Sequence, residues 1–201
     1  MLKTKLLTAA LATVVAGLAA ASSAQAATDY FMKVESTTPA DAIKGESVDR
    51  EFPQLIELES VSFGAQNELS IGSATGGAGA GRARFNALTV EKAVDSTTPR
   101  FFRMLGMGGH FASVEIIARE SSPTGTTVVP IRTLFTMVAV TGQEQSGARG
   151  EDMREKLTFA YGGLAQAAVS PSSPLKPNVF SSWSVVTNSG IREALPAPYR
   201  A

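Results

Sequence analysis

The glycine-rich stretch Gly76-Gly77-Ala78-Gly79-Ala80-Gly81, followed by Arg82, is the first place in this 201-residue chain where residue types and spacing could do chemistry. It comes close to a phosphate-cradling loop. However, Arg82 stands where the motif needs lysine and Ala83 where it needs a hydroxyl, and the alternating residues after it predict a strand where phosphate binding needs a helix N-terminus. A flexible or interface loop is the simpler reading. His110 is the single histidine, and there is no cysteine. Disulfides, thiolate nucleophiles and His-based metal clusters within one chain are therefore excluded, and His110 reads as a satisfied structural residue. Ser173-Pro-Leu-Lys176 has the Ser-x-x-Lys spacing of serine acylases, but it lies among prolines and lacks companion motifs. Glu57 and Glu59 alternate on a predicted strand, with no second acid placed to complete an acid/base pair. With no catalytic constellation, metal site or cofactor site left standing, the chain reads as a non-enzyme.

The elements that would position these residues are mostly strands. Asp29 to Val34, Leu55 to Gln66, Arg82 to Lys92, Phe111 to Arg119, Val129 to Thr141, Leu157 to Tyr161 and Val179 to Thr187 carry β-branched or aromatic residues between turn formers. Ile56 and Leu58 differ in parity from Val61 and Phe63, which predicts a β-bulge or a strand crossing between sheets. Phe85 differs likewise from Leu88 and Val90, which predicts a second bulge. Asn67 to Gly81 reads as a long exposed loop, Gln143 to Asp152 as a polar loop, and Gly162-Gly163 as a break or bend. One short helix is expected after Ser96-Thr-Thr-Pro99. Thr97 or Ser96 would cap it, Pro99 would sit in its first turn, and Gly106 and Gly108 would end it. Its apolar residues Phe101, Phe102, Met104 and Met107 are expected to pack on the strands. The fold class is mainly β: a β-barrel or two-sheet sandwich with one short α-helix.

Charge and targeting set the setting. Lys and Arg number 18 and Asp and Glu 18, so nothing basic marks nucleic acid or an anionic membrane as partner. Lys3 and Lys5, the uncharged apolar run Leu6 to Ala21, and the small-x-small sequence Ala24-Gln25-Ala26 together predict a signal peptide over residues 1–26. Cleavage between Ala26 and Ala27 would leave 27–201, with no stable membrane insertion afterwards. The loss of two lysines leaves 16 basic residues (18 − 2) against 18 acidic. Residues 27–187 are the expected domain and 188–201 a loose C-terminal tail. Export to the periplasm or the extracellular space follows.

Several separated motifs resemble the Hcp family, the haemolysin-coregulated tube proteins of the type VI secretion system. They are Asp29-Tyr-Phe-Met-Lys33, Ile43-Lys-Gly-Glu-Ser47, Gly81-Arg82, Lys92-Ala-Val-Asp95, Ser96-Thr-Thr-Pro99, Gly108-Gly-His110 and Leu157-Thr-Phe-Ala160, in order over about 29 to 165. The family-motif positions are Lys92, Asp95, Pro99, Gly108 and His110. The resemblance implies a barrel-like domain with one helix, which assembles as a homo-hexamer. The rings would stack into a tube that carries small effector cargo and leaves with a spike protein. It also implies that the loop at Asn67 to Gly81 contributes to contacts between rings, with Gly76, Gly77, Gly79, Gly81 and Arg82 as its candidate contact residues. The departure is the signal peptide, because tube subunits of that family are loaded from the cytoplasm. An exported periplasmic or surface binding module, or adhesion module, that reuses the fold is the alternative function.

Overall fold

One short run of chain, 56–62, belongs to both ends of the same sheet, and this closes the molecule into a barrel. The computed structural model describes residues 27–67, 82–121, 127–169, 179–191 and 196. Within them lie β1 (Ala27–Ser36), β2 (Ile56–Leu58), β3 (Ser60–Ser62), β4 (Ala65–Asn67), β5 (Ala83–Phe85), β6 (Leu88–Ala93), α1 (Thr98–Met107), β7 (His110–Ser121), β8 (Thr127–Ser146), β9 (Arg154–Ala168) and β10 (Val179–Ser184). The main sheet runs β2-β1-β7-β8-β9-β6-β3, with β10 added to β9. All its pairings are antiparallel. Only Glu59 separates β2 from β3, and its N–H already bonds the Glu91 carbonyl at 2.8 Å. The chain therefore leaves one edge of the sheet and joins the other within a residue.

That crossing explains the parity switch in the sequence. Ile56 and Leu58 are 2 % and 8 % exposed against β1, while Val61 pairs Val90 and packs against the same core. The chain turns between them, so both parities point inward. The second expected bulge is instead a break. β5 pairs β4 in a separate two-stranded ribbon, and the chain passes Asn86 and Ala87 before entering the main sheet as β6.

The barrel is filled by its own side chains. Met32, Leu88, Val90, Phe111, Val114, Phe135, Val138, Leu157 and Phe159 are fully buried in one cluster. Helix α1 inserts Phe101 and Met104 into the same cluster. The Phe101 ring meets Phe111 and Phe159 edge-on, with centroids 6.1 and 6.0 Å away, the geometry aromatic quadrupoles favour. Truncating such a ring to Ala costs about 3–5 kcal/mol.

The ends of α1 differ from expectation in two respects. Neither Ser96 nor Thr97 caps it through its side chain. The Thr97 hydroxyl instead donates to Asp95 Oδ1 at 2.6 Å, because a buried carboxylate is the stronger acceptor. Pro99 does sit in the first turn. The helix runs through Gly106 and ends at Gly108, whose φ of 64° is left-handed, while the Gly109 N–H returns to the Met104 carbonyl at 2.9 Å. Phe101 and Met104 pack as expected, but Phe102 and Met107 are 67 % and 57 % exposed. A ten-residue helix has one face on the barrel, and these two residues lie on the other.

Two strands are longer than expected. β8 continues to Ser146, so 143–146 are strand and not loop, and β9 runs straight through Gly162-Gly163. The unusual backbone is instead that of Met137 on the opposing strand, at φ 53°. A Cβ on Gly162 would come within 3.1 Å of the Met137 side chain, and one on Gly163 within 2.8 Å of Thr136 Oγ1. Both glycines serve close approach of two strands.

Candidate functional site

Two of the family-motif residues, Lys92 and Asp95, meet in one buried ionic cluster where α1 meets the barrel wall. On β6, Leu88 and Val90 point inward, and the period of two places Lys92 inward as well. Lys92 is 1 % exposed. Its ammonium lies 2.7 Å from Asp95 Oδ1 and 2.7 Å from Glu155 Oε1, and donates to the Ala93 carbonyl at 2.9 Å. The same parity argument on β9, where Leu157 and Phe159 face in, brings Glu155 inward at 2 % exposure. The Thr98 hydroxyl donates to Glu155 Oε1 at 2.7 Å, and the Gln143 amide to Glu155 Oε2 at 2.6 Å. Gln143 also donates to the Thr98 carbonyl at 3.2 Å.

Burial alone would push the Asp95 carboxyl up. Hydrogen bonds from the Lys92 ammonium and from Thr97 outweigh it and hold Asp95 below the usual carboxylate range. One ammonium is shared by two carboxylates, and together with the Thr98 and Gln143 hydrogen bonds it fastens α1 to β6, β8 and β9. Lys92 and Asp95 are brought together, Pro99 lies exposed in the first turn of α1, and Gly108 closes the far end of the helix. His110 is not part of the cluster. It opens β7 with its imidazole exposed, and its carbonyl accepts from Thr37 Oγ1 at 3.4 Å, so it is a surface residue and not a buried structural one.

The other candidates are scattered. Arg82 is exposed just before β5, so a strand does follow the glycine-rich loop. Gly76, Gly77, Gly79 and Gly81 lie outside the described residues, as do Ala24, Ala26 and the Ser173 to Lys176 spacing. Ala27 is the first residue of β1. Glu57 accepts from Ser47 Oγ at 2.7 Å and Glu59 pairs with Arg154, which makes them two surface contacts and not an acid/base pair. Among the described residues no group of three or more His, Cys, Asp or Glu could hold a metal, and no helix is long and apolar enough to cross a membrane.

The remaining site-like features are surfaces. On the outer wall, Arg119 bridges Asp29 at 2.7 Å and Asp49 at 2.6 Å, with its guanidinium 5.0 Å from the Phe31 ring and 5.8 Å from Phe52. The Arg119 hydrogen bond draws the Asp49 carboxyl down. This cluster pins the 43–55 loop to β1 and β7 over a small second core of Phe31, Phe52 and Ile117.

On the β8–β10 side nothing is charged. A groove of about 430 Å³ is lined by Thr136, Met137, Gly162, Gly163, Val186 and Ile191 among others. Met137 and Val186 are 66 % and 62 % exposed, and Val179 and Trp183 on β10 are 54 % and 37 % exposed. β10 itself reads Val-Phe-Ser-Ser-Trp-Ser, without the Lys, Pro or bulge that usually guards a sheet edge. Ser184 exchanges backbone hydrogen bonds with Ser189, so Ser182 and Phe180, two and four residues earlier, also aim their N–H and C=O away from β9. No described residue pairs with those groups. Neither Met137 nor this edge was singled out from the sequence, although the absence of charge from Val179 to Gly190 was a readable signal for the edge.

Comparison with known proteins follows the same outline. The family model for the type VI secretion system effector, Hcp, matches residues 31–167. A structure described as that of a type six secretion system protein is 26 % identical, covering 81 % of this chain and 99 % of its own with a TM-score of 0.69. The crystal structure of Hcp1 from Salmonella typhimurium is 20 % identical and covers 82 % of this chain and 99 % of its own, at a TM-score of 0.64. Secreted protein Hcp3 from Pseudomonas aeruginosa is 17 % identical, with 79 % and 98 % covered and a TM-score of 0.55. The last two speak for the fold alone. No curated protein matches.

Proposed function

The chain belongs to the type VI secretion system effector family Hcp, and from that premise we propose that it is an exported, ring-forming subunit whose copies join edge to edge. The observation that carries this reading is the row β1-β7-β8-β9-β10. β10 adds to β9 on one side of it, and on the other side β1 is flanked only by the three residues of β2. β10 turns an uncharged edge outward, and β1 pairs β2 only from Tyr30 to Met32, leaving Ala27 to Asp29 without a described partner on that side. Two different free edges on one sheet favour head-to-tail association, which closes into a ring when the rotation allows. Val179 and Trp183 beside the edge are 54 % and 37 % exposed, so their burial would add only part of the about 1.5–3 kcal/mol that a fully exposed large apolar side chain gains.

A filled barrel leaves no channel inside one chain, so effector cargo would sit in the lumen of a homo-hexamer, with ring stacking and a spike protein as further partners. The glycine-rich loop with Arg82 would serve contacts between rings. Export would begin with the signal peptide over 1–26, cut between Ala26 and Ala27, and the periplasm or the medium would be the destination. The domain would span 27–187, with 188–201 as its tail.

Light scattering after size-exclusion chromatography of residues 27–201 tests this. Wild type is expected at ring mass, and Ser182→Pro, which removes only an outward-facing N–H, is expected at single-chain mass with unchanged circular dichroism. A monomeric wild type would reject the ring and leave the alternative of an exported binding module.

A further inference from the structure

We propose that Met137 is a reversible oxidation site, at which a peroxide converts the thioether to the sulfoxide and so loosens the turn that follows β10. This stands apart from the ring reading. The chain has six methionines and no cysteine, so a thioether is its softest nucleophile. Met32 and Met104 are buried in the barrel, whereas Met107, Met137 and Met153 are exposed. Met137 is set apart by its backbone. Among the described strand residues it is the one non-glycine in the left-handed region, at φ 53°, a conformation that costs an L residue energy and clusters at functional sites. Its sulfur also joins two segments far apart in sequence. A Cβ on Gly162 would meet Met137 Sδ at 3.1 Å and Val186 Cγ2 at 3.5 Å. Met137 from β8 and Val186 from the turn after β10 therefore share the space above Gly162.

That turn is held to β9 by its backbone. The Val185 and Val186 N–H groups donate to the Gly162 carbonyl at 2.9 and 3.4 Å, and the thioether is an apolar cover over the glycine that accepts both. Hydrogen peroxide reacts with it by oxygen transfer. An S–O bond forms at Met137 Sδ and the O–O bond breaks; the sulfur gives up two electrons, and the second peroxide oxygen leaves as water. The sulfoxide is polar. Its oxygen gains more from water than from Val186, so the side chain swings outward and the cover is lost. The Val185 and Val186 amides then open more readily. Val138, the next residue, faces the barrel interior and is fully buried, so the core is untouched. The reverse step is that of a methionine sulfoxide reductase, in which two thiols become a disulfide and the oxygen leaves as water.

The test treats the full chain with hydrogen peroxide, assigns oxygen uptake by peptide mass mapping, and follows amide hydrogen exchange at Val185 and Val186. Met137 is expected to gain one oxygen while Met32 and Met104 stay unmodified. Exchange at the two amides should rise roughly fourfold, the factor that losing one buried methylene's transfer free energy implies. A methionine sulfoxide reductase supplied with a dithiol should reverse both changes. Met107→Leu with Met153→Leu should keep the effect. Met137→Leu, which retains an apolar cover, should abolish it with unchanged circular dichroism. A Met137 no more reactive than buried Met32 would overturn the site. Uptake at Met137 without faster exchange, or an equal rise in Met137→Leu, would overturn the switch. Should Met137→Leu not fold, the wild-type chain decides: exchange that stays fast after the sulfoxide has been reduced would overturn the proposal.

Discussion

The two ionic clusters of this molecule are made of the same parts and do different work. One joins Lys92 to Asp95 and Glu155 inside the wall, and the other joins Arg119 to Asp29 and Asp49 on the outside. Each sets one cation between two carboxylates at 2.6 to 2.7 Å. Lys92 and Glu155 have almost no solvent, whereas the Asp29 side chain is 44 % exposed. The inner cluster can be broken only by stranding a charge in the core; the outer one can hand its charges to water. The inner cluster thus behaves as a structural pin, and the outer one as a clasp for a surface loop.

Lys92→Met should cost most, about 3–5 kcal/mol in urea unfolding, because Glu155 is left charged and unpaired. Adding Glu155→Leu should recover a good part of that loss; if it does not, the cluster contributes by more than charge pairing. Arg119→Ala should cost about 1–2 kcal/mol, from two aromatic contacts and two half-exposed ion pairs, and should raise protease sensitivity in 43–55. Lys33→Ala removes an exposed pair with Glu35 and should change stability by less than about 0.5 kcal/mol. An effect of Arg119→Ala as large as that of Lys92→Met would erase the distinction.

Acid sharpens the same contrast. The Asp95 carboxyl is depressed in the folded state, so its stabilisation is fully present above the ordinary carboxylate value of about 4 and is lost as pH falls through the lower folded value. Unfolding free energy should drop over that range in wild type. Lys92→Met removes the ammonium's hydrogen bond and charge, which draw the carboxyl down, and leaves burial, which pushes it up, opposed only by the Thr97 hydrogen bonds. The acid-dependent loss should therefore shrink or change sign in that variant, and an unchanged profile would show that Asp95 is not coupled to Lys92.

The inner cluster was partly legible in the sequence, and the outer one was not. Lys92 and Asp95 stood out through the family pattern, but the partner Glu155 did not, although strand parity places it beside Leu157 and Phe159. Residues 63 apart in sequence (155 − 92) that form an ion pair need a register between β6 and β9, and only the fold supplies it: Lys92 sits opposite Glu155. The mainly β class, the single helix and the bend near Glu59 were readable because period and parity are local. Phe102 and Met107 were misplaced because apolar residues occur on more than one side of this helix, and only the fold shows which side the barrel covers. The strand at 143–146 was missed because Gln143 and Glu144 look like loop, yet Gln143 is polar in order to reach Glu155.

The closure at 56–62 has a consequence for time. β1 pairs β7, with Tyr30 opposite Ala118, and β3 waits for β6, with Val61 opposite Val90. Until β7 has been made, 88 residues beyond Tyr30 (118 − 30), the first strand of the barrel has only the three residues of β2 to pair with, and contacts so distant in sequence form slowly. A nascent chain built this way stays loose and linear through most of its synthesis, the state in which a polypeptide can be threaded through a narrow pore.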